Sequence, residues 1–527
     1  MACSSPASSN RSSTVLSLLA DSPFTLQELE QLLSLYNGRE GHDNGLLQHS
    51  LISGDLGKEG SIIWLLVSSC SHRPGAQKED ALTHRAQLAG RFLPLTFLKT
   101  LETAIFHSEE SCYLTKNPEV NDIALLSFFE AMAICTGRRG PGPVIDFLYD
   151  SAISNGAARA SELVRLCYLL GLKSSLLSSL AESDEIMERE EIFRFDELPQ
   201  PLVASLVRHV NICNQDQNKN EGETIVSRPQ FREWINCSTP LLASTLPTFL
   251  HYLLFMENPF PSTRIVPFRF PDLGKQPSVF FGSDPYSSLH FCFGSLSPSL
   301  CSKWYQLFSL DHCGSGFAGI LEAILGYDGP MVIIIGAKGG GIFGAFTSSK
   351  WKVSGDFYGA GDCFLYSIHP CVNVYRPTGI RSNYMFCNPS SRVVFNDGRA
   401  HGIGFGGTTD SPRLFIPDSS SLDEDAFCRA GAYDTTYDQG PLIPMGGSHL
   451  EDRVQIDRLE IWGVGDEDFI SKALQSRDFQ KTITEANVRK AQTVTDKGTF
   501  VDDLTSGLIA AKLWDHRNHA IDRDACG

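Results

Sequence analysis

Three sets of residues in this chain have the types and spacings that chemistry requires. The first is a glycine run, Gly339-Gly-Gly341-Ile-Phe-Gly344, which follows the β-branched stretch Met331–Ile335 and matches the pattern G-x-G-x-x-G. A dinucleotide site would need a helix after the turn, with its N-terminus holding the pyrophosphate. Here the apolar run Ile342-Phe-Gly-Ala-Phe-Thr347 follows, which favours a strand, so the glycines read as a hairpin connection that needs positive φ. The second set holds acids, bases and thiols. Asp311 and His312 are adjacent, His369 precedes Pro370, and His401 precedes a glycine run. Asp356, Asp362 and Glu460 stand near aromatic stretches, and Cys363 and Cys371 offer thiols to an oxidant. Nucleophilic catalysis needs a Ser or Cys beside a base that a third group orients. The chain has no G-x-S-x-G elbow and no known cysteine signature, so the histidines read as structural and no thiol is marked as activated.

The third set has calcium-loop character. Asn211 to Ile235 reads as helix, polar loop and a second helix beginning near Phe231, with Asp216, Asn218 and Asn220 as weak candidates for calcium ligands. An EF-hand loop needs oxygens at its first, third and fifth positions, glycine at the sixth and a bidentate Glu at the twelfth. With Val226 at the eighth position, Lys219 falls at the first, Thr224 at the sixth and Gln230 at the twelfth. Starting instead from Asp216 puts Glu221 where glycine belongs. Either register is spoiled, so calcium binding is expected to be weak or absent, with no other metal and no cofactor.

The totals narrow the class. At 527 residues with 42% hydrophobic composition, several domains with real cores are expected. A net charge of −17 argues against a general nucleic-acid or anionic-membrane binder. Fifteen cysteines lie without C-x-x-C or paired Cys/His spacing, which points to neither a disulfide framework nor a zinc site. No run approaches the roughly 20 apolar residues that span a bilayer. The amino terminus lacks a signal-peptide pattern, and Ala2 rules out the myristoylation motif. The expected location is the cytoplasm, including peripheral association with an organelle membrane.

These elements fall in order along the chain. Residues 1–80 read as a partly disordered segment containing one helix start, where Thr25-Leu-Gln-Glu28 forms a capping box flanked by the staple Phe24/Leu29. Residues 81–258 show apolar spacings of three and four, as at Leu163, Leu166 and Leu170, with an acidic stretch from Glu182 to Glu197 and a helix start at Thr239-Pro240. Residues 259–290 hold the prolines Pro259, Pro261, Pro267, Pro271 and Pro277 and read as a linker. Strand signals fill 291–465, and 466–527 reads as a helical extension. The fold class is therefore α+β, with a helical region followed by a β-sandwich and a helical tail.

The strand region resembles a TLDc domain. The matching stretches are Leu307 to Gly314, Ile342 to Phe346, Trp351, Asp356 to Tyr366, Gly402 to Gly407, Leu414 to Asp418 and Leu459 to Gly463. The residues that carry it include Gly344, Trp351, Phe357, Gly359, Gly361, Gly406, Gly407, Glu460 and Trp462. A degenerate EF-hand-like region before the domain and a helical tail after it resemble the mTOR-associated, lysosome-linked branch. The resemblance implies a two-sheet β-sandwich, no established catalytic mechanism, a link to oxidative-stress resistance, and binding to the vacuolar proton pump. It points to an adaptor that docks on peripheral subunits of the pump. The alternatives are a redox-active peroxide scavenger and a calcium-responsive sensor.

Overall fold

The computed structural model describes residues 128–182, 199–214, 224–255, 271–281, 297–390, 399–418, 426–443 and 453–475, with short gaps inside, and isolated positions around 23–32, 97–101 and beyond 475. The chain divides into two compact units, 1–269 and 270–527.

In the first unit the expected capping box is present. Thr25 N–H donates to Glu28 Oε2 at 2.8 Å and Glu28 N–H donates to Thr25 Oγ1 at 3.3 Å, while Phe24 and Leu29 are buried. Glu28 also meets the Arg138 guanidinium, which lies 4.3 Å from the Phe24 ring centre. Helix α1 (Pro141–Ser151) leads into a minimal hairpin, β1 (Ile153–Ser154) and β2 (Ala157–Ala158). Asn155 and Gly156 turn it with φ of 53° and 78°, the backbone a two-residue hairpin demands. Helix α2 (Ala160–Glu182) follows, and Leu163, Leu166 and Leu170 are fully buried on one stripe. Helices α3 (Gln200–Asn214) and α4 (Arg228–Ser238) form a second helix pair. The two pairs meet at a bridge between Arg159 and Ile225: Ala160 N–H donates to Thr224 O and Val226 N–H donates to Ala158 O, both at 2.9 Å. Thr239-Pro240 opens a short 3-10 turn that runs into α5 (Thr245–Leu254), which is buried along its whole length.

The second unit contains an eleven-stranded antiparallel sheet, β3 to β13. It begins with β3 (Lys303–Ser309), the one-turn helix α6 (Leu310–Cys313) and α7 (Phe317–Leu325). Strands β4 (Met331–Ala337), β5 (Ile342–Thr347), β6 (Ser354–Tyr358), β7 (Phe364–His369) and β8 (Asn373–Tyr375) follow. Next come β9 (Met385–Asn388), β10 (Gly402–Phe405), β11 (Leu414–Pro417), β12 (Phe427–Ala430) and β13 (Arg453–Gly465). One layer runs β8-β7-β5-β4-β13-β3 and the other β6-β9-β10-β11-β12-β13. They are joined through the long β13, whose first residues pair with β12 and whose later ones pair with β3 and β4. Between the layers lie Ile333, Ile335, Phe343 and Leu365 from one side and Phe405, Leu414, Ile416 and Cys428 from the other, with Trp351 among them. This is the expected two-layer sandwich.

The glycine run is a hairpin. Ala337 N–H donates to Gly341 O at 2.8 Å, and Gly339 and Gly340 take φ of 110° and 95°. A strand follows it, so no helix N-terminus is available to a pyrophosphate there.

The expected linker 259–290 needs one correction. Its described part, 271–281, belongs to the sandwich. Asp272 bridges to Lys303, and Ser278 and Val279 bind Glu460. The prolines forbid a helix there, yet a buried carboxylate on β13 supplies the donors' partner and fixes the segment. At the other end the tail starts as a helix at 467–475. Ile470 and Ala473 are buried, and the Phe469 ring lies beside Gly465 and Gly329. Most of the remaining tail, to His519, lies outside the described residues.

Candidate functional site

The polar groups that could act in the sandwich lie in two places. The first is the outer face of the β13-bearing layer. Strand register aligns Ser309, Glu460, Ile334, Gly344 and Tyr366 across β3, β13, β4, β5 and β7. Glu460 is fully buried, because 276–281 lies over it. Its Oε1 accepts from Val279 N–H at 2.7 Å, and its Oε2 accepts from Ser278 Oγ at 2.8 Å and from Trp462 Nε1 at 2.9 Å. Burial pushes its carboxyl above the ordinary range, with the three donors pulling the other way. Trp462 packs against Trp304, which meets Phe281 edge-on. Along the same row, Gly344 has no side chain because there is no room for one. A Cβ there would lie 1.8 Å from Ile333 O and 2.7 Å from Tyr366 Oη. The vacant space lets Tyr366 reach across β5 and donate its hydroxyl to Ile333 O at 2.7 Å.

The second place is the turn after β10. Gly406 and Gly407 take φ of 64° and 71°. Their turn is held by Asp434, which accepts from the Gly407 N–H and Thr436 N–H at 3.0 Å each. Asp434 in turn pairs with Arg413, and both side chains are almost wholly buried, at 1% and 0% exposure. The Arg413 guanidinium also donates to Gly431 O, Asp438 O and Gly440 O and lies over the Tyr375 ring. Sequence reading singled out the glycines and missed this pair. The available signal was an arginine directly ahead of the apolar run Leu414–Ile416.

The remaining motif residues are structural neighbours. Trp351 is buried and donates to Thr347 Oγ1 at 3.2 Å. Phe357 meets Phe386 edge-on, Gly359 bends at φ 114°, and Gly361 sits under the Tyr384 hydroxyl. Asp356 pairs with Arg399 at the surface, and Asp362 accepts from Ser348. Ser309 Oγ lies 3.2 Å from His312 Nδ1, a nucleophile–base contact, but both oxygens of the nearby Glu460 are engaged elsewhere. His401 faces Asn388, and His369 is exposed at the end of β7, so the structure does not gather the histidines. Cys363 and Cys371 are buried, and burial raises the Cys363 thiol above its ordinary value.

In the helical unit, Asp216, Asn218 and Asn220 lie outside the described residues. Gln230, which stands where a calcium loop has its bidentate carboxylate, is engaged in a capping box. Its Oε1 accepts from Ser227 N–H at 3.0 Å and Ser227 Oγ at 2.8 Å. One group of metal-ligating side chains does converge here. His209 and Cys213 stand one turn apart on α3, and Glu233 reaches them from α4. His209 Nε2 is 3.9 Å from Cys213 Sγ and 3.7 Å from Glu233 Oε2. Sequence reading looked for paired cysteines and missed it, because the third group comes from another helix. His-x3-Cys within a helical pattern was the signal on offer.

A sandwich of this topology with these glycine turns and a buried Glu-x-Trp on its last strand defines a class. The chain carries a TLDc domain, with the family's sequence profile matching residues 275–465. The chain is 32% identical over 171 residues to the MTOR-associated protein MEAK7 of Gallus gallus, covering 32% of this chain and 33% of that protein. The Homo sapiens protein of that name is 30% identical over 164 residues, covering 31% and 33%. Oxidation resistance protein 1 of Xenopus laevis is 30% identical over 104 residues, covering 20% and 11%. The matched stretches thus span about a third or less of the length of these curated relatives. Among the described residues no helix is long and apolar enough to cross a membrane.

Proposed function

We propose that this chain is a non-catalytic TLDc adaptor that regulates by binding another protein, in growth signalling or oxidative-stress resistance. The observation that carries the reading is the engagement of the domain's buried polar groups. Glu460 holds the segment leading into the sandwich, and Arg413 with Asp434 holds the glycine turn, so each serves the fold. The relatives' names, one associated with MTOR and one with oxidation resistance, support the same class of role. On the family resemblance, the first partner to test is the peripheral sector of the vacuolar or lysosomal proton pump. The chain would then sit on the cytosolic face of that organelle and need no cofactor. The EF-hand-like helical unit is assigned a scaffolding role.

A scavenger would need reactive thiolates, which are favoured by exposure and a lowered pKa. Among the described cysteines, burial instead pushes Cys135, Cys167 and Cys428 up to about 12, and the exposed Cys213 is raised rather than lowered. The decisive experiment is affinity purification of the full chain with mass spectrometry, run beside a peroxide-consumption assay and a free-thiol count. The adaptor reading expects pump or signalling subunits to co-purify, with peroxide and thiols unchanged. Stoichiometric thiol loss with peroxide turnover, and no bound partner, overturns it.

A further inference from the structure

We infer that α3 and α4 form a binding site for one borderline divalent metal ion, zinc being the best match, with His209 Nε2, Cys213 Sγ and Glu233 Oε2 as its ligands. This site goes beyond the adaptor reading and does not depend on it. The three ligand atoms lie within 4.8 Å of one another. Tetrahedral zinc, with bonds of about 2.0–2.2 Å to nitrogen and oxygen and about 2.3 Å to sulfur, holds such atoms roughly 3.3–3.6 Å apart. The contacts of 3.7 Å and 3.9 Å around His209 Nε2 therefore need only small side-chain rotations to close on an ion.

The arrangement is positioned from below. Ser205, His209 and Cys213 recur every four residues along α3, which puts them on one face. Trp234 is fully buried and donates its Nε1–H to the Ser205 hydroxyl at 3.0 Å. That bond fixes the register of α4 against α3, and the neighbouring Glu233 meets His209 one turn along. The His209 side chain is 18% exposed and Glu233 61%, so one side of the cluster opens to water. Three protein ligands with an open fourth position are the pattern of zinc sites that exchange a ligand.

Donor chemistry separates this site from any calcium loop. Calcium and magnesium take oxygen donors, whereas imidazole with thiolate selects zinc and its neighbours in the transition series. Neutral imidazole offers a ring nitrogen and the exposed Cys213 offers its sulfur, each within reach of the other and of Glu233. Metal binding would deprotonate that thiol and release its proton to solvent. A plain surface contact between His209 and Glu233 would contribute little and would have no use for the sulfur.

The test titrates the full chain with cobalt(II) as a spectroscopic stand-in, followed by zinc competition. The expected result is one cobalt per chain with thiolate-to-cobalt charge-transfer absorption, displaced by zinc and indifferent to calcium. Cys213→Ser should abolish the charge-transfer absorption. His209→Ala and Glu233→Gln should each weaken binding at least about tenfold, the lower end of what losing even a supporting partner of a metal costs. Cys237→Ser, on α4 but outside the cluster, should change nothing. Absence of stoichiometric binding by the unaltered chain overturns the inference, as does charge-transfer absorption that survives Cys213→Ser or is lost in Cys237→Ser.

Discussion

Replacing Arg413 by Ala should unfold the TLDc sandwich more readily than any single truncation at its surface. The guanidinium is 0% exposed and donates four times: to Asp434 at 3.0 Å, Asp438 O at 2.6 Å, Gly440 O at 2.8 Å and Gly431 O at 3.1 Å. Its removal strands three carbonyls and leaves Asp434, 1% exposed, with backbone N–H partners and no counter-charge. Removing one member of a buried ion pair typically costs about 3–5 kcal/mol. For a domain matched over residues 275–465, each kcal/mol moves the melting temperature by roughly 2–4 °C, so a fall of about 6–20 °C is expected. Arg413→Lys should lose nearly as much, since an ammonium cannot serve four acceptors spread over the face of a planar fork. Asp434→Asn added to Arg413→Met should recover part of the loss, because the uncompensated charge is then gone. Thermal unfolding of the full chain, followed by tryptophan fluorescence and near-ultraviolet circular dichroism, reads all four proteins. A change below about 1 kcal/mol for Arg413→Ala would refute the claim that this pair holds the glycine turn.

Gly344→Ala should cost about 3 kcal/mol or more, because the new Cβ meets the rigid Ile333 carbonyl and displaces the Tyr366 hydroxyl. Gly340→Ala meets nothing within 4 Å and suffers backbone strain alone at φ 95°, about 1–3 kcal/mol, and urea midpoints that invert this order would contradict the close-approach reading. Glu460 supplies a pH signature. Its folded pKa is raised, so the native state holds the proton more tightly than the unfolded chain. Its contribution therefore falls as pH rises from the ordinary carboxyl range through the raised folded value. Glu460→Gln leaves an NH2 group facing a backbone or indole donor, a fixed deficit of about 1–3 kcal/mol. The total stability gap between the two proteins, of which this deficit is the constant part, should narrow as pH rises through this window, and a gap constant across pH counts against burial as the dominant influence on Glu460.

Much of the sandwich was legible because it rests on local rules. Ile, Val and Phe runs bounded by glycines made β4, β5 and β7, and the absence of a helix after Gly344 already separated a hairpin from a phosphate cradle. Thr25 and Glu28 were readable because a capping box is complete within four residues. What stayed hidden needed long-range pairing. Glu460 finds Val279 across 181 positions, so a proline-rich stretch that looked like linker is in part the domain's own cover. Arg413 finds Asp434 across 21 positions that include β11 and β12, and no periodicity announces a buried cation. His209 and Glu233 come together only because Trp234 and Ser205 set one helix against the other.

The same long-range pairing bears on how the proposed docking would act on the domain. Lys303, at the start of β3, is where the two ends of the sandwich meet. Asp272 N–H donates to Ser302 O and Asp272 O accepts from Trp304 N–H, which fixes the incoming chain along β3. The Lys303 ammonium pairs with Glu467, in the first turn of the tail. β13 then lies beside β3 and carries Glu460, which grips 278 and 279 from below. Entry and exit are thus tied to one strand pair rather than to opposite poles of the domain. A partner that pulls on the tail would act first on the Lys303–Glu467 contact, which is exposed and weak, and only then on Ile470 and Ala473, which are buried. The sandwich itself, with β4 buried on both faces, would stay intact. Under the adaptor proposal, a partner would engage the helix at 467–475 without unfolding the domain.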